Sequence, residues 1–233
     1  MDLVLAIDQG TSATKCVLVD AQGRIVAKAA VPVGERYPQP GWVEQDAEDI
    51  WGSVRAAVAQ CLAQNDRARV VAVGLSTQRE SALIWQRDGA RALTPLLSWQ
   101  DQRTVALRER LATQGAELLV RERSGLPLDP MFSALKIRWL LDCIDPERRA
   151  ARSGALRAGT VDAWLLARLG GDDGIEVGNA SRTQLLDVQR GSWDDDLLRL
   201  FDIPRAALPS VRPSLARRGD GAALHPALAG VPV

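Results

Sequence analysis

Two apolar runs flank a short polar turn at the start of the chain, LVLAIDQGTSATKCVLVD over residues 3–20. Residues 3–7 read as a buried strand and 16–19 as a second. RIVAKAAV, at 24–31, reads as a third after the turn at Gln22-Gly23. Three strands joined by short turns predict an antiparallel meander, which needs cover on a face and a partner on an edge. A polar loop with two prolines and a glycine, YPQPGWVEQDAED, then excludes regular structure to about Gly41. From Ala47 to Leu62 the period turns helical, with Ile50, Trp51, Val54, Val58, Cys61 and Leu62 on one face. Asp46 is placed to cap that helix, with Asp49 three residues on in place of the usual Glu. RVVAVGL at 69–75 and SALIW at 81–85 read as further buried strands. Strand, strand, strand, helix, strand, strand is the order of a mixed sheet with helical cover, an α/β fold.

The middle of the chain reads as helical over 103–112, 115–123 and 133–143. A further helix starts at Thr160-Val161-Asp162, runs through Leu169 and stops at Gly170-Gly171. Asp194 to Leu200 reads as a short one. From Pro209 onward the composition shifts to Pro, Gly, Ala and Arg, and no closing helix or strand pattern is evident. Residues 209–233 are read as the approach to a second domain, in a chain cut within a larger architecture. A naturally frayed tail is the alternative.

The 233 residues suffice for one large domain or two small ones. With 29 basic and 29 acidic residues and no long run of one sign, the chain has no broad nucleic-acid or membrane footprint, though a local anion site stays open. No apolar run approaches the ~20 residues of a membrane span. Three scattered cysteines, Cys16, Cys61 and Cys143, make neither a disulfide framework nor a CxxC metal pair, which fits a reducing cytoplasm. The sequence leaves the oligomeric state open, a homo-dimer included.

Chemistry concentrates at strand ends. Asp8 stands where the first strand leaves the core, so its carboxylate can meet solvent and a cation. Gly10 admits close backbone approach, Thr11, Ser12 and Thr14 carry hydroxyls, and Lys15 adds positive charge. The P-loop pattern is absent. The set suits a hairpin presenting a Mg²⁺-phosphate, with an ordinary polar turn as the alternative. TQRES, at 77–81, puts Gln78, Arg79 and Glu80 just past a strand. An Arg–Glu pair there offers donors and acceptors to a polyol, or is a surface ion pair worth little. SWQDQRT, at 98–104, sets Trp99 beside Asp101 and Arg103; Trp99 either covers the carbon face of a small sugar or belongs to the core. His225, the sole histidine, lies in the tail and is assigned no role, so proton abstraction falls to a carboxylate.

Taken together, AIDQGTSATK, QPGWVEQD, GLSTQRES, SWQDQRT, GLPLDPMFSALKIRWLLD, GTVDAWLLARLGG, NASRTQLLDV and WDDDLLRLFDIP resemble the FGGY carbohydrate kinase family, closest to its glycerol kinase branch. They span nearly the whole chain. The resemblance implies an actin-like, ribonuclease-H-like fold, two such domains around a cleft, ATP as donor and Mg²⁺ as cofactor. By it, Asp8 lies near Mg²⁺ and the transferred phosphate, and Gly10, Thr11, Ser12, Thr14 and Lys15 belong to the phosphate hairpin. Arg79 and Glu80 bind polyol hydroxyls, and Trp99 lines the polyol. Met131 departs from the pattern: glycerol kinases carry a tyrosine in DP-Tyr-FS, where this chain reads DPMFS. Methionine cannot donate the tyrosine's hydrogen bond. Lys15 stands where an arginine is common, and Ser12-Ala13-Thr14 replaces Thr-Ser-Ser. The family's catalytic base is an aspartate expected beyond Val233, so the chain reads as the N-terminal, substrate-binding domain, inactive by itself. Kinases for xylulose or erythritol, and a non-catalytic actin-like sensor or assembly module, are the competing expectations.

Overall fold

A computed structural model of the chain describes residues 2–65, 69–171 and 173–233. The opening meander is present: β1 (Asp2–Gln9), β2 (Ala13–Asp20) and β3 (Ile25–Pro32) pair antiparallel in sequence order. Along β1 burial alternates with the pleat, so Leu3, Leu5, Ile7 and Gln9 face inward while Asp8 faces out. Leu5 lies opposite Leu18 and Ile7 opposite Cys16, which carries the same face across to β2. Asp20 fixes the β2–β3 turn by accepting the N–H groups of Gln22 and Arg24, each at 2.9 Å. After β4 (Glu44–Gln45), α1 (Ala47–Leu62) covers the inward face with Ile50, Trp51, Val54, Val58 and Cys61. Each such side chain contributes about 1.5–3 kcal/mol by leaving water. Asp46 caps α1, accepting from Glu48 N–H at 2.9 Å; Asp49, instead of closing a capping box, stands 3.7 Å from Arg36. β5 (Arg69–Thr77) then adds parallel to β1, giving the order β3-β2-β1-β5.

The single mixed sheet expected from the sequence is in fact two. β6 (Ala82–Gln86) leaves the first sheet and joins β7 (Leu96–Leu97) and β8 (Leu156–Thr160) in a second, ordered β4-β7-β6-β8 and antiparallel throughout. The turn at 78–81 causes the break: Glu80 adopts φ +66°, which redirects the chain between the sheets. The 105–144 region is helical, with α2 (Val105–Thr113), α3 (Ala116–Ser124) and α4 (Ser133–Ile144). After α5 (Arg149–Ser153), β8 leads into α6 (Val161–Arg168). Beyond it lie β9 (Gly174–Glu176), α7 (Val177–Ser181), β10 (Leu186–Asp187), β11 (Ser192–Trp193), α8 (Asp195–Leu200) and β12 (Ser210–Arg212). A mixed sheet beginning with an antiparallel meander and completed by a parallel strand, with helical cover, is the actin-like, ribonuclease-H-like arrangement expected.

The tail has more structure than its composition suggests. β12 pairs parallel with β9, and two single-turn 3₁₀ helices follow, capped by Asp220 and by His225 Nδ1. Leu224 and Leu228 are buried. Pro232 accepts the Val73 N–H of β5 at 2.9 Å, while Val233 exchanges hydrogen bonds with Arg218 and Gly219 on its other side. The segment therefore sits as a short strand between β5 and residues 218–220. Among the described residues, no helix is long and apolar enough to cross a membrane.

Candidate functional site

The ends of β1 and β5 lie side by side, Asp8 opposite Lys15 of β2 and Ser76 of β5. Around them an open cleft of about 420 Å³ is lined by Asp8, Gly10, Thr11, Thr77, Gln78, Arg79, Glu80, Trp99, Met131 and Arg182. Asp8, Gly10, Thr11, Arg79, Glu80, Trp99 and Met131 were each singled out in the sequence, and four separate stretches of chain supply them.

The cleft is held from below by a buried amide relay. Gln78 donates from Nε2 to Gln45 Oε1 at 2.9 Å and to Gln9 Oε1 at 3.2 Å, and accepts from Ser81 Oγ at 2.8 Å. Ser81 Oγ in turn accepts the Trp99 backbone N–H at 3.0 Å. The Trp99 indole N–H donates to Thr11 Oγ1 at 3.0 Å, which joins this wall of the cleft to the hairpin. Gln78 is thus an internal strut, not a surface group awaiting ligand. Such a network is costly to bury unless its members are satisfied, and here each bond fixes a loop.

Glu80 does not pair with Arg79. Its carboxylate Oε1 accepts from Arg182 Nε at 2.6 Å, and its carbonyl accepts from Ser133 Oγ at 2.9 Å. Among the described residues, no side chain pairs with the Arg79 guanidinium, and Arg79 lines both this cleft and the neighbouring groove beside Gly74 to Thr77. Trp99 is 37% exposed, a half-open apolar plate. Asp101 and Arg103 belong to the scaffold. Asp101 is fully buried, accepts Val43 N–H at 2.7 Å and pairs with Arg103, which also meets Glu44 at 2.8 Å. The Arg103 guanidinium stacks on Trp42 at 3.8 Å and Trp139 at 4.8 Å.

The hairpin residues divide. Gly10 closes the turn through its N–H to Ala13 O at 3.0 Å, and a Cβ there would stand 3.3 Å from the same oxygen. Ser12 is exposed at the tip, and Lys15 is exposed beside Asp8 on β2. Thr14 is not brought to the cleft: it points into the core, 2.6 Å from Ser53 of α1. The strand alternation that turns Asp8 outward turns Thr14 inward with Gln9, its cross-strand partner. An exposed carboxylate beside a glycine turn has the chemistry to hold a metal-bound phosphate: Asp8 could take the metal side and the Gly10 to Ser12 turn the phosphate side. Among the described residues no cluster of three metal-ligating side chains forms.

Two residues of the site gave no signal that sequence reasoning used. Lys136, fully buried, caps the loop that presents Met131, donating from Nζ to the carbonyls of Pro130 and, at 2.7 Å, Met131. Burial pushes its pKa down to about 7, against the attraction of Asp101, Asp129 and Glu80. Arg182 lies in NASRTQLLDV, a stretch that matched as a block without any residue in it standing out.

The family model for the N-terminal domain of the FGGY carbohydrate kinases matches residues 3–233. The chain belongs to that family. Among curated FGGY relatives, it is 47% identical to a glycerol kinase of Methylobacterium nodulans over 99% of this chain and 46% of the relative. It is 45% identical to an apulose kinase of Pectobacterium atrosepticum over 93% of this chain and 44% of the relative. The fold superposes on the ADP-bound glycerol kinase of Plasmodium falciparum with a TM-score of 0.93 at 26% identity, covering 100% of this chain and 47% of that one. The chain therefore spans about half the length of the FGGY relatives it matches.

Proposed function

We propose that this FGGY domain is the substrate-binding half of an ATP-dependent polyol or sugar kinase, with glycerol as the first candidate acceptor and Mg²⁺ as the cofactor. The observation that carries the reading is the convergence of Asp8, Arg79, Glu80 and Trp99 on one cleft. Trp99 offers its ring to the carbon face of the substrate. Arg79 keeps its donors for hydroxyl oxygens, and Glu80 keeps Oε2 to accept from a hydroxyl. Fixed groups of this kind discriminate strongly, because an analogue without the matching hydroxyl leaves them unpaired. The bound Mg²⁺–nucleotide supplies the phosphoryl group and screens its charge. Asp8 would hold the metal, and the hairpin amides of Thr11 and Ser12 would meet the phosphate oxygens, stabilising charge that grows during transfer. Glu80 is tied to Arg182 and Asp8 is reserved for the metal, so removal of the acceptor proton is assigned to a group outside this chain. The isolated 233-residue chain should accordingly turn over no substrate. A five-carbon sugar or four-carbon polyol is the second reading, favoured by Met131 at the wall and by the apulose kinase relative.

The test is ATP-dependent phosphorylation of glycerol, erythritol and xylulose by the longer protein that carries this domain. Arg79→Ala should raise the KM for the preferred acceptor by about tenfold or more, the loss of charge-assisted hydrogen bonds, while the melting temperature stays near the parent's. Unchanged acceptor kinetics in that variant would refute the assignment.

A further inference from the structure

Arg182 reaches the cleft from a part of the chain that shares no element with the other site residues. It follows α7 and crosses 102 positions of sequence separation to donate from Nε to Glu80 Oε1. Its guanidinium carbon stands 5.0 Å from the Phe132 ring, on the loop that carries Met131. That loop and the Arg182 segment are tied into one unit. Ala134 N–H donates to Thr183 O at 2.9 Å, and Gln184 donates from Nε2 to Pro127 O.

Glu80 needs such support. Its φ of +66° belongs to the left-handed region, which a residue with a Cβ adopts only when its surroundings impose it. Ser133 holds the carbonyl and Arg182 the carboxylate, so both ends of the residue are fixed. The two contacts also decide what remains available. Oε1 is occupied, and Oε2 makes no hydrogen bond among the described residues. Arg182 is 29% exposed in its side chain and lines the cleft itself.

We propose that Arg182 is a positioning and specificity-determining residue of the acceptor site: it occupies one oxygen of Glu80 so that the other accepts a single substrate hydroxyl from a fixed direction. The inference rests on the polyol reading of the cleft. Without Arg182, the Glu80 carboxylate rotates about its last torsion and both oxygens compete for the acceptor. Affinity falls, and so does discrimination between polyols of different length.

The experiment titrates glycerol and erythritol separately into the 233-residue chain and follows the Trp99 indole N–H resonance, whose donor bond to Thr11 places it at the cleft. Arg182→Met keeps an apolar stem and removes the charged fork; Arg182→Lys keeps charge without the fork; Glu80→Gln removes the partner's charge. Arg182→Met should weaken glycerol binding about tenfold and narrow the glycerol–erythritol ratio, with Arg182→Lys between it and the parent. In the Glu80→Gln background, Arg182→Met should add little, because the two act as one unit. The remaining amide resonances should stay in place, which separates lost positioning from lost folding. Parent-like glycerol affinity in both Arg182 variants overturns the proposal, as does an undiminished tenfold loss on top of Glu80→Gln. If the parent chain shifts Trp99 with neither polyol nor with xylulose, the polyol reading itself fails and takes the proposal with it.

Discussion

On the proposed reading of the cleft, Met131 is the residue on which acceptor choice turns. Its backbone is pinned from both sides, N–H to Asp129 Oδ1 at 2.8 Å and carbonyl to Lys136 Nζ at 2.7 Å, so the side chain that fills this wall is presented from a fixed position. A thioether there offers bulk and polarisability but no donor. Met131→Tyr in the longer protein should therefore lower the KM for glycerol by about threefold to tenfold, the worth of one hydrogen bond of roughly 0.5–1.5 kcal/mol. Steady-state kinetics with glycerol and xylulose would check this, and a tyrosine variant that loses xylulose without gaining glycerol would mean that the pocket is shaped for the larger acceptor. Glu80 shows a different economy at the same scale. Its left-handed backbone costs of order 1–3 kcal/mol, offset by Ser133 and Arg182, which places strain where orientation matters.

At the scale of elements, α6 begins on a buried acid. Burial pushes the Asp162 pKa up to about 6, and the Glu176 carboxylate pushes the same way; the Thr160 hydroxyl and the Glu176 N–H, which donate to it, only partly oppose this. A carboxyl raised in the folded state binds its proton more tightly than in the unfolded chain. Its contribution to stability is then complete below the ordinary aspartate value of 3.8 and is lost as pH climbs through about 6. Asp162→Asn removes that loss, so the melting temperature of the variant minus that of the parent should grow from about pH 4 to pH 7. Thermal melts across this range would test it, and a constant difference would refute it. Elements with a clean period were legible in the sequence: α1 spans the stretch its apolar stripe outlined, and β1 to β3 and β5 follow their apolar runs. β8 escaped because all five of its positions are buried, including Arg157, which reads as a surface residue until Asp173 pairs with it. That Arg79, Glu80, Trp99 and Met131 share one cleft was legible because each lies in a distinctive motif, the first three just past a strand end. Arg182 was not, since its partner lies on a distant segment, and Thr14 was misplaced because a one-residue step in a strand reverses the face.

For the whole molecule, the free edge of β5 is the feature with physical consequence. Val73 N–H is taken by Pro232, but strand alternation puts the N–H groups of Leu75 and Thr77 on the same side. They face a groove of about 670 Å³ lined by Gly74 to Thr77, Asp162, Glu176, Asn179 and Arg218. Unpaired strand edges recruit other strands. The isolated chain should therefore associate with itself as concentration rises, seen as a concentration-dependent sedimentation coefficient. A chain that stays monomeric into the high micromolar range would show that this groove is closed in solution.

The glutamine relay has an effect that reaches outside the core. Gln9 Nε2 holds Gly10 O and Gln45 Nε2 holds Thr11 O, each at 2.8 Å, and both glutamines are fully buried. In a planar trans peptide the carbonyl and the following N–H point in opposite directions. Drawing those two oxygens inward turns the N–H groups of Thr11 and Ser12 outward, to the solvent side where an anion arrives. The aim of the amides proposed to meet a phosphate is thus set by two side chains that lie behind them, and a change at Gln9 or Gln45 would rotate the peptide planes rather than delete a donor.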